Sequence, residues 1–354
     1  MNDIEKEFFD YVNHRSNKRE LVMLGVSDKI YSIISNNNKK SAKIFSTNTD
    51  LIDNKKVYNS INLKGMSNEY YVVIARVLND GGRAIKRHLE NMGFKSGDDF
   101  AFYPYISFNL SEGRDTNSSE CGNKFKCHSN KNTDVVIEGT NNEINIEEFD
   151  SVGTGSLKIK IMGSRNRIII KKGFRLTNTS DIIINGSDSE LVIDENCKVA
   201  KIKIDIHNNS SIFIGANTTI GSGSSFNTHA NGEIIIGTDC MFSWNTKLQT
   251  GDGHSLFDCK TKKRINNYEK SRLELSDHIW IARDAMIFSG KKTFIGRGSV
   301  IGANSCVKGI FRDNNVVIAG NPARIRKRNI AWARHPNADN IEQCNGYAEE
   351  SRYI

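Results

Sequence analysis

The stretch TGDGHSLFD, Thr250 to Asp258, places a single histidine, His254, on a polar run opened by two glycines. The carboxylate of Asp252 stands two residues before it and that of Asp258 four residues after. An imidazole titrates near neutrality, so it can take the proton of a hydroxyl while that oxygen attacks an acyl carbon. A carboxylate on the second ring nitrogen fixes the tautomer and stabilises the imidazolium. Asp252 is spaced to do this, and equally to cap the turn in which it sits. Asp258 is a weaker candidate for that role, and a backbone carbonyl could serve instead. Cys240, Cys259 and Cys306 raise a thiol nucleophile, but none forms a recognisable Cys/His arrangement with His254, although Cys259 shares its loop.

Metal chemistry has little support. His207, His229 and His278 lack the glycine-flanked polar setting of His254 and read as structural. No two of the eight histidines lie five residues apart. Cys121, Cys127 and His128 are too loosely spaced and lack a fourth ligand. No metal site is expected.

The elements that must hold His254 are repetitive. From Asp134 onward, triplets of β-branched residues recur between turns of Asn, Gly, Ser and Asp: DVVIEG, LKIKI, NRIIIKKG, DIIING, ELVIDEN, SIFIGAN and EIIIGTD. Short strands separated by tight turns at regular spacing read as a solenoid. The period then sharpens to six, through Ile214, Ile220 and Phe226, through Ile236, Phe242 and Leu248, and through Ile295, Ile301 and Val307. Three strand-plus-corner units of this length close a triangular coil, with the aliphatic residue inside and glycine or asparagine at the corner. Residues 135–193 fit the six-residue frame poorly, so looped-out corners are expected there.

The first hundred residues follow a different grammar. LVMLGV (21–26) and YYVVIA (70–75) read as buried parallel strands, and 27–37 and 78–94 as helices, the second closed by Gly93. This predicts a small α/β, Rossmann-like domain over residues 1–105, without the G-x-G-x-x-G fingerprint of dinucleotide binding. Residues 106–133 are polar and read as a linker. The solenoid is expected over 134–325, interrupted by a loop at 250–272, with a basic tail over 326–354.

Within the solenoid, HIWIARDAMI (278–287), VIGANSCV (300–307) and VIAGNPARIRK (317–327) accompany the repeat. Together they resemble the hexapeptide-repeat acyltransferases, which fold as left-handed parallel β-helices. The likeness covers 212–328 and is greatest to the sugar O-acetyltransferase branch. There a Gly-His-Pro loop precedes the Trp-bearing coil and supplies the catalytic base. Gly253-His254-Ser255 matches it, with serine in place of proline. Two further departures are Ala282, where glycine is usual, and the step IFSGKKTFI (287–295), two residues longer than six.

The resemblance implies direct acetyl transfer from acetyl-CoA to a carbohydrate hydroxyl of a surface polysaccharide or its precursor, capsule or O-antigen, in a homotrimer. It places the pantetheine arm beside Trp280, Ala282, Gly302, Ala303, Ala319 and Gly320, and the nucleotide phosphates near Arg326, Lys327 and Arg328. N-acetylation of an amino sugar is the alternative chemistry, since the same base would serve an amine. A non-catalytic β-helix scaffold is the alternative class, but has no use for the His254 insertion.

Composition bounds the rest. The 354 residues carry a net charge of +8, which suits an anionic ligand. No aromatic residues interleave with a basic stripe, so nucleic acid is not expected. No apolar run is long enough for a transmembrane helix, and no secretory signal is visible at the N-terminus. Seven scattered cysteines suggest a reducing compartment, the cytoplasm.

Overall fold

The computed structural model describes residues 12, 14, 16, 19–24, 43–46, 57–59, 63–74, 80–95, 98, 100–102, 107–110, 117–120 and 122–127 of the N-terminal part. Beyond these it describes 133–152, 155–251, 253–266, 270–344 and 346–347. The helix expected over 27–37 lies outside the described residues.

Among the described residues, the N-terminal part contains five parallel strands in the spatial order Val57–Asn59, Lys43–Ser46, Glu20–Leu24, Tyr70–Ile74, Phe100–Phe102. The two apolar runs read as strands form the middle of this sheet. Helix Asp80–Asn91 crosses from Tyr70–Ile74 to Phe100–Phe102 and buries Leu89 with Val22, Val72 and Phe100. Gly93, at φ +93°, ends it, and Phe94 N–H bonds back to the Leu89 carbonyl at 3.1 Å. A left-handed residue just past the last turn satisfies carbonyls that the helix leaves open.

From there the chain is a three-sided solenoid. Face 1 runs through Leu157–Met162, Ser180–Asn185, Ile202–His207, Ser224–Thr228, Lys247–Thr250 and Met286–Ser289. Face 2 runs through Arg167–Ile170, Glu190–Ile193, Ser211–Ile214, Gly232–Ile236, Ser271–Leu275 and Lys292–Ile295. Face 3 runs through Phe174–Leu176, Lys198–Val199, Thr219–Ile220, Met241–Phe242, Trp280–Ile281, Val300–Ile301 and Val317–Gly320. Strands on each face are parallel, and buried and exposed residues alternate along them. Period-two alternation aims one set of side chains into the prism, where isoleucines from successive coils stack. Each fully buried aliphatic side chain contributes about 1.5–3 kcal/mol.

The six-residue series of the sequence are the rungs of these ladders. Ile214 pairs with Ile236, Ile220 with Phe242, Phe226 with Leu248, and Ile301 with Ile318. The six-residue step belongs to two of the three corners in most coils, although five residues separate Val199 from Ile204 and seven separate Phe311 from Ile318. The third, from face 1 to face 2, is longer: ten residues separate Phe226 from Ile236, eleven separate Ile182 from Ile193, and eight separate Ile287 from Ile295. The poor fit of 135–193 to a six-residue frame comes mainly from this corner, and also from the coil through Phe149–Ser151, where five residues separate Ile146 from Ser151 and eight separate Ser151 from Ile159. Its interior is polar rather than apolar. Asn142 Nδ2 donates to Asn123 Oδ1 at 2.9 Å, and Asn166 Nδ2 to Asn142 Oδ1 at 3.0 Å, an amide ladder that pays no heed to hydrophobic period.

Between face 2 and face 3 another column adopts left-handed backbone: Gly173, Asn196, Asn217, Asp239, His278, Gly298 and Asn315. Glycine, asparagine and aspartate tolerate that region best. His278 is the exception, and it is buried.

Two boundaries differ from the sequence reading. The stretch read as a linker carries strands Ser107–Leu110, Asn117–Glu120 and Asn123–Cys127. The last adds a coil edge, with Asn123, Phe125 and Cys127 buried between exposed lysines; five alternating residues were too short a signal among the polar ones. The stretch read as a basic tail begins inside strand Ala323–Lys327, which pairs antiparallel with Val317–Gly320. The chain then packs back on the solenoid. Trp332 is buried against His278, and Arg334 reaches Asp239, Thr219 and the carbonyls of Asn217 and Cys240. These partners lie tens of residues upstream, where no local pattern reveals them.

Candidate active site

The loop that carries His254 leaves the prism at the long corner. In the preceding coil that corner needs only residues 229–231, between Ser224–Thr228 and Gly232–Ile236. Here residues 251–270 fill the same gap between Lys247–Thr250 and Ser271–Leu275. The root is anchored by Gly251 N–H on the Ser289 carbonyl at 2.7 Å. Gly251 and Gly253 both take left-handed backbone, at φ +74° and +75°. Beneath them lies the ring of His229, which a Cβ on Gly253 would meet at 3.2 Å.

His254 itself is exposed. Its position is set through its backbone. Asn266, only 6% exposed, donates from Nδ2 to the His254 carbonyl at 2.6 Å and accepts the Leu256 N–H on Oδ1 at 2.8 Å. Beyond this clamp, Ile265 N–H bonds to the Leu256 carbonyl, and Phe257 bridges Arg264, so the outer loop is a short hairpin. Asp258 closes its turn, with Oδ1 accepting from Thr261 N–H at 2.6 Å, Thr261 Oγ1 at 2.9 Å and Lys260 N–H at 3.0 Å. Those bonds from Thr261 hold its carboxyl below the usual range. Asp258 is therefore a turn cap. Asp252 lies outside the described residues. Asn266 escaped the sequence reading because its amide reaches back twelve residues, from Asn266 to His254, with no motif to mark it.

Of the thiols raised by the sequence, Cys240 is a poor nucleophile. Burial pushes Cys240 up to about 12, and its Sγ donates to the Ser276 carbonyl at 3.4 Å. Cys259 is exposed at the loop's tip. Among the described residues no three His, Cys, Asp or Glu side chains converge as metal ligands.

The residues expected to meet the cofactor gather on a different edge. Ala282, Gly302 and Ala319 stack on successive coils where face 3 turns into face 1, linked by Ala282 N–H to Ile301 O and Gly302 N–H to Ile318 O, both at 2.9 Å. A Cβ on Gly302 would lie 2.8 Å from that of Ala319, so the column has room for nothing larger. Ala303 is exposed beside it. Arg326 folds over Gly320 and donates from Nε to the Ala319 carbonyl at 3.0 Å. Arg328 pairs with Asp313 at 3.1 Å, and Lys327 is exposed. Trp280 lies on the outer side of face 3, with Nε1 3.4 Å from Ser243 Oγ. The structure thus brings Ala282, Gly302, Ala303, Ala319, Gly320 and Arg326 together along one edge. It does not bring them to His254, whose loop leaves by the corner between faces 1 and 2.

No protein-family profile matches the chain. Among solved structures, the polySia specific acetyltransferase NeuO superposes on 58% of this chain and 85% of its own, at 33% identity and a TM-score of 0.51. The chain belongs to the hexapeptide-repeat, left-handed β-helix acyltransferases, in their sugar O-acetyltransferase branch. A polysialic acid O-acetyltransferase of Escherichia coli O1:K1 is 35% identical over 157 residues, 42% of this chain. That match spans about half of the relative, 48% of its length. A polysialic acid O-acetyltransferase of Neisseria meningitidis is 29% identical over 56% of this chain and 88% of its own length. Among the described residues no helix is long and apolar enough to cross a membrane, which says nothing of a β-barrel.

Proposed function

We propose that this β-helix acyltransferase moves an acetyl group from acetyl-CoA to a hydroxyl of a surface polysaccharide or its precursor. The observation that carries the reading is the loop of residues 251–270, which presents an exposed histidine from a backbone clamped by Asn266 on an otherwise regular prism. A sugar hydroxyl is far too weak an acid to attack a thioester unaided at neutral pH. The His254 imidazole accepts its proton as the oxygen bonds to the acetyl carbon. The tetrahedral intermediate then collapses, the carbon–sulfur bond breaks, and the imidazolium returns the proton to the departing thiolate. Asp252 is the residue proposed to orient the ring.

The acyl donor is proposed to lie along the column Ala282, Gly302 and Ala319, where small residues leave backbone groups open, with Trp280, Ala303 and Gly320 beside it. Arg326, Lys327 and Arg328 are assigned to the nucleotide phosphates. Lys327 is exposed for this, whereas Arg328 must exchange its bond to Asp313. The relatives are named for polysialic acid, and an excess of eight positive charges suits a likewise anionic glycan. We assign residues 1–105, with their five parallel strands, to a Rossmann-like domain that binds acceptor or organises a homotrimer, and place the reaction in the cytoplasm.

Incubation with labelled acetyl-CoA and a panel of acidic and neutral glycans tests the reading. Label is expected in an alkali-labile ester on glycan. Label confined to an amide, or none on any glycan, would overturn it.

A further inference from the structure

Three successive coils place His207, His229 and Gly251 at one register position at the end of face 1, since Ile206 pairs with Thr228 and Thr228 with Thr250. The imidazoles of His207 and His229 stack, with centroids 5.7 Å apart and planes 25° apart. His207 is held by Nδ1, which lies 2.6 Å from the Thr228 carbonyl and so must carry the proton. His229 is held at its backbone N–H by Thr250 Oγ1 at 3.2 Å. The next layer above its ring is the bare backbone of the loop root. A Cβ on Gly251 would lie 3.0 Å from His229 Cβ and 3.2 Å from Cδ2, and one on Gly253 3.2 Å from Cε1. Glycine is favoured twice, because a Cβ would crowd the ring and because both positions adopt a left-handed φ. His254 is the next residue along.

We propose that His229 is a positioning residue, its ring the platform against which the chain around Gly251 and Gly253 lies flat, so that the direction of His254 is set by a side chain from the preceding coil. The proposal rests on His254 acting as the base. It accounts for two glycines in alternate positions at the root, which a merely flexible loop does not require. It also gives the stacked His207 a purpose, as the layer that stops the His229 ring from sinking. A misplacement of about 1 Å at a reacting group costs up to about a hundredfold in rate.

The test compares His229→Ala, His229→Phe and His254→Ala in the full chain, by steady-state kinetics and by limited trypsin cleavage at Lys260, Lys262 and Lys263. His229→Ala is expected to lower kcat about tenfold or more while the KM for acetyl-CoA stays within about twofold, because the donor edge is untouched. It should also speed cleavage in the loop. His229→Phe, which restores a flat ring, should recover most of both. His254→Ala should lose turnover yet be cleaved like the natural protein. If His229→Ala leaves kcat and cleavage within about twofold, or if Phe does no better than Ala, the platform is wrong. If His254→Ala keeps its turnover, the base assignment falls, and the cleavage rates still decide the platform on their own.

Discussion

At the scale of residues, the candidate base is held by its main chain. The Asn266 amide fills both of its roles at once, donating to the His254 carbonyl and accepting from Leu256. Replacing His254 by alanine removes the imidazole and leaves this clamp alone. Turnover should fall at least about a hundredfold, the low end for losing a general base, with thermal unfolding and donor binding unchanged. Asn266→Asp is a sharper probe, being nearly isosteric. It keeps an acceptor for Leu256 but sets an oxygen against the His254 carbonyl where a donor stood. Leaving a buried polar group unsatisfied costs about 1–3 kcal/mol, drawn here from the loop and not from the prism. Its kcat should drop while its melting temperature stays near that of the natural protein. Equal losses in both would mean that Asn266 supports the fold at large.

At the scale of elements, the C-terminal segment acts as a strap across the left-handed column between faces 2 and 3. His278 stacks on Trp332 at 3.9 Å and on Tyr347 at 4.3 Å, while its Nδ1 meets Asp239 at 2.7 Å. Arg334 holds the other oxygen of Asp239. Removing Arg334 takes an ion-pair partner from that carboxylate, which is 15% exposed. Arg334→Ala should therefore destabilise the protein by about 2–3 kcal/mol, read by denaturant unfolding followed through Trp332 fluorescence. A change below about 0.5 kcal/mol would show the strap to be incidental. None of this was legible beforehand, since Asp239, His278 and Arg334 meet only because coils stack. The ladders were legible, because aliphatic residues six apart mark two corners of most coils. The third corner was hidden by its amides and serines, which obey hydrogen bonding and not hydrophobic period. The loop that carries His254 was legible for the opposite reason: TGDGHS breaks the repeat. Its clamp was not, because an asparagine twelve residues downstream looks like any loop residue.

At the scale of the whole molecule, the proposed base and the proposed donor column stand on different edges of a triangular prism. His254 leaves from the corner between faces 1 and 2, and the small-residue column runs where face 3 meets face 1. A site that uses both is most simply closed by a second copy, the His254 loop of one protomer reaching the column of its neighbour. The loop carries the means to dock there, since Leu256, Phe257 and Ile265 are each more than half exposed. In a ring of three such interfaces, every site takes its base from one subunit and its donor edge from the next. Two inactive variants make this testable: His254→Ala, and Ala303→Trp, which places an indole beside the donor column at an exposed position. Co-expressed in equal amounts and purified as mixed trimers, they should regain about a third of the natural activity, because a ring with both kinds of subunit leaves about one site in three with both halves intact. Each variant alone should stay inactive, and subunit exchange should be needed for recovery. Mixed trimers no more active than their parents, or a sedimenting monomer with full turnover, would show that both halves of the site belong to a single chain.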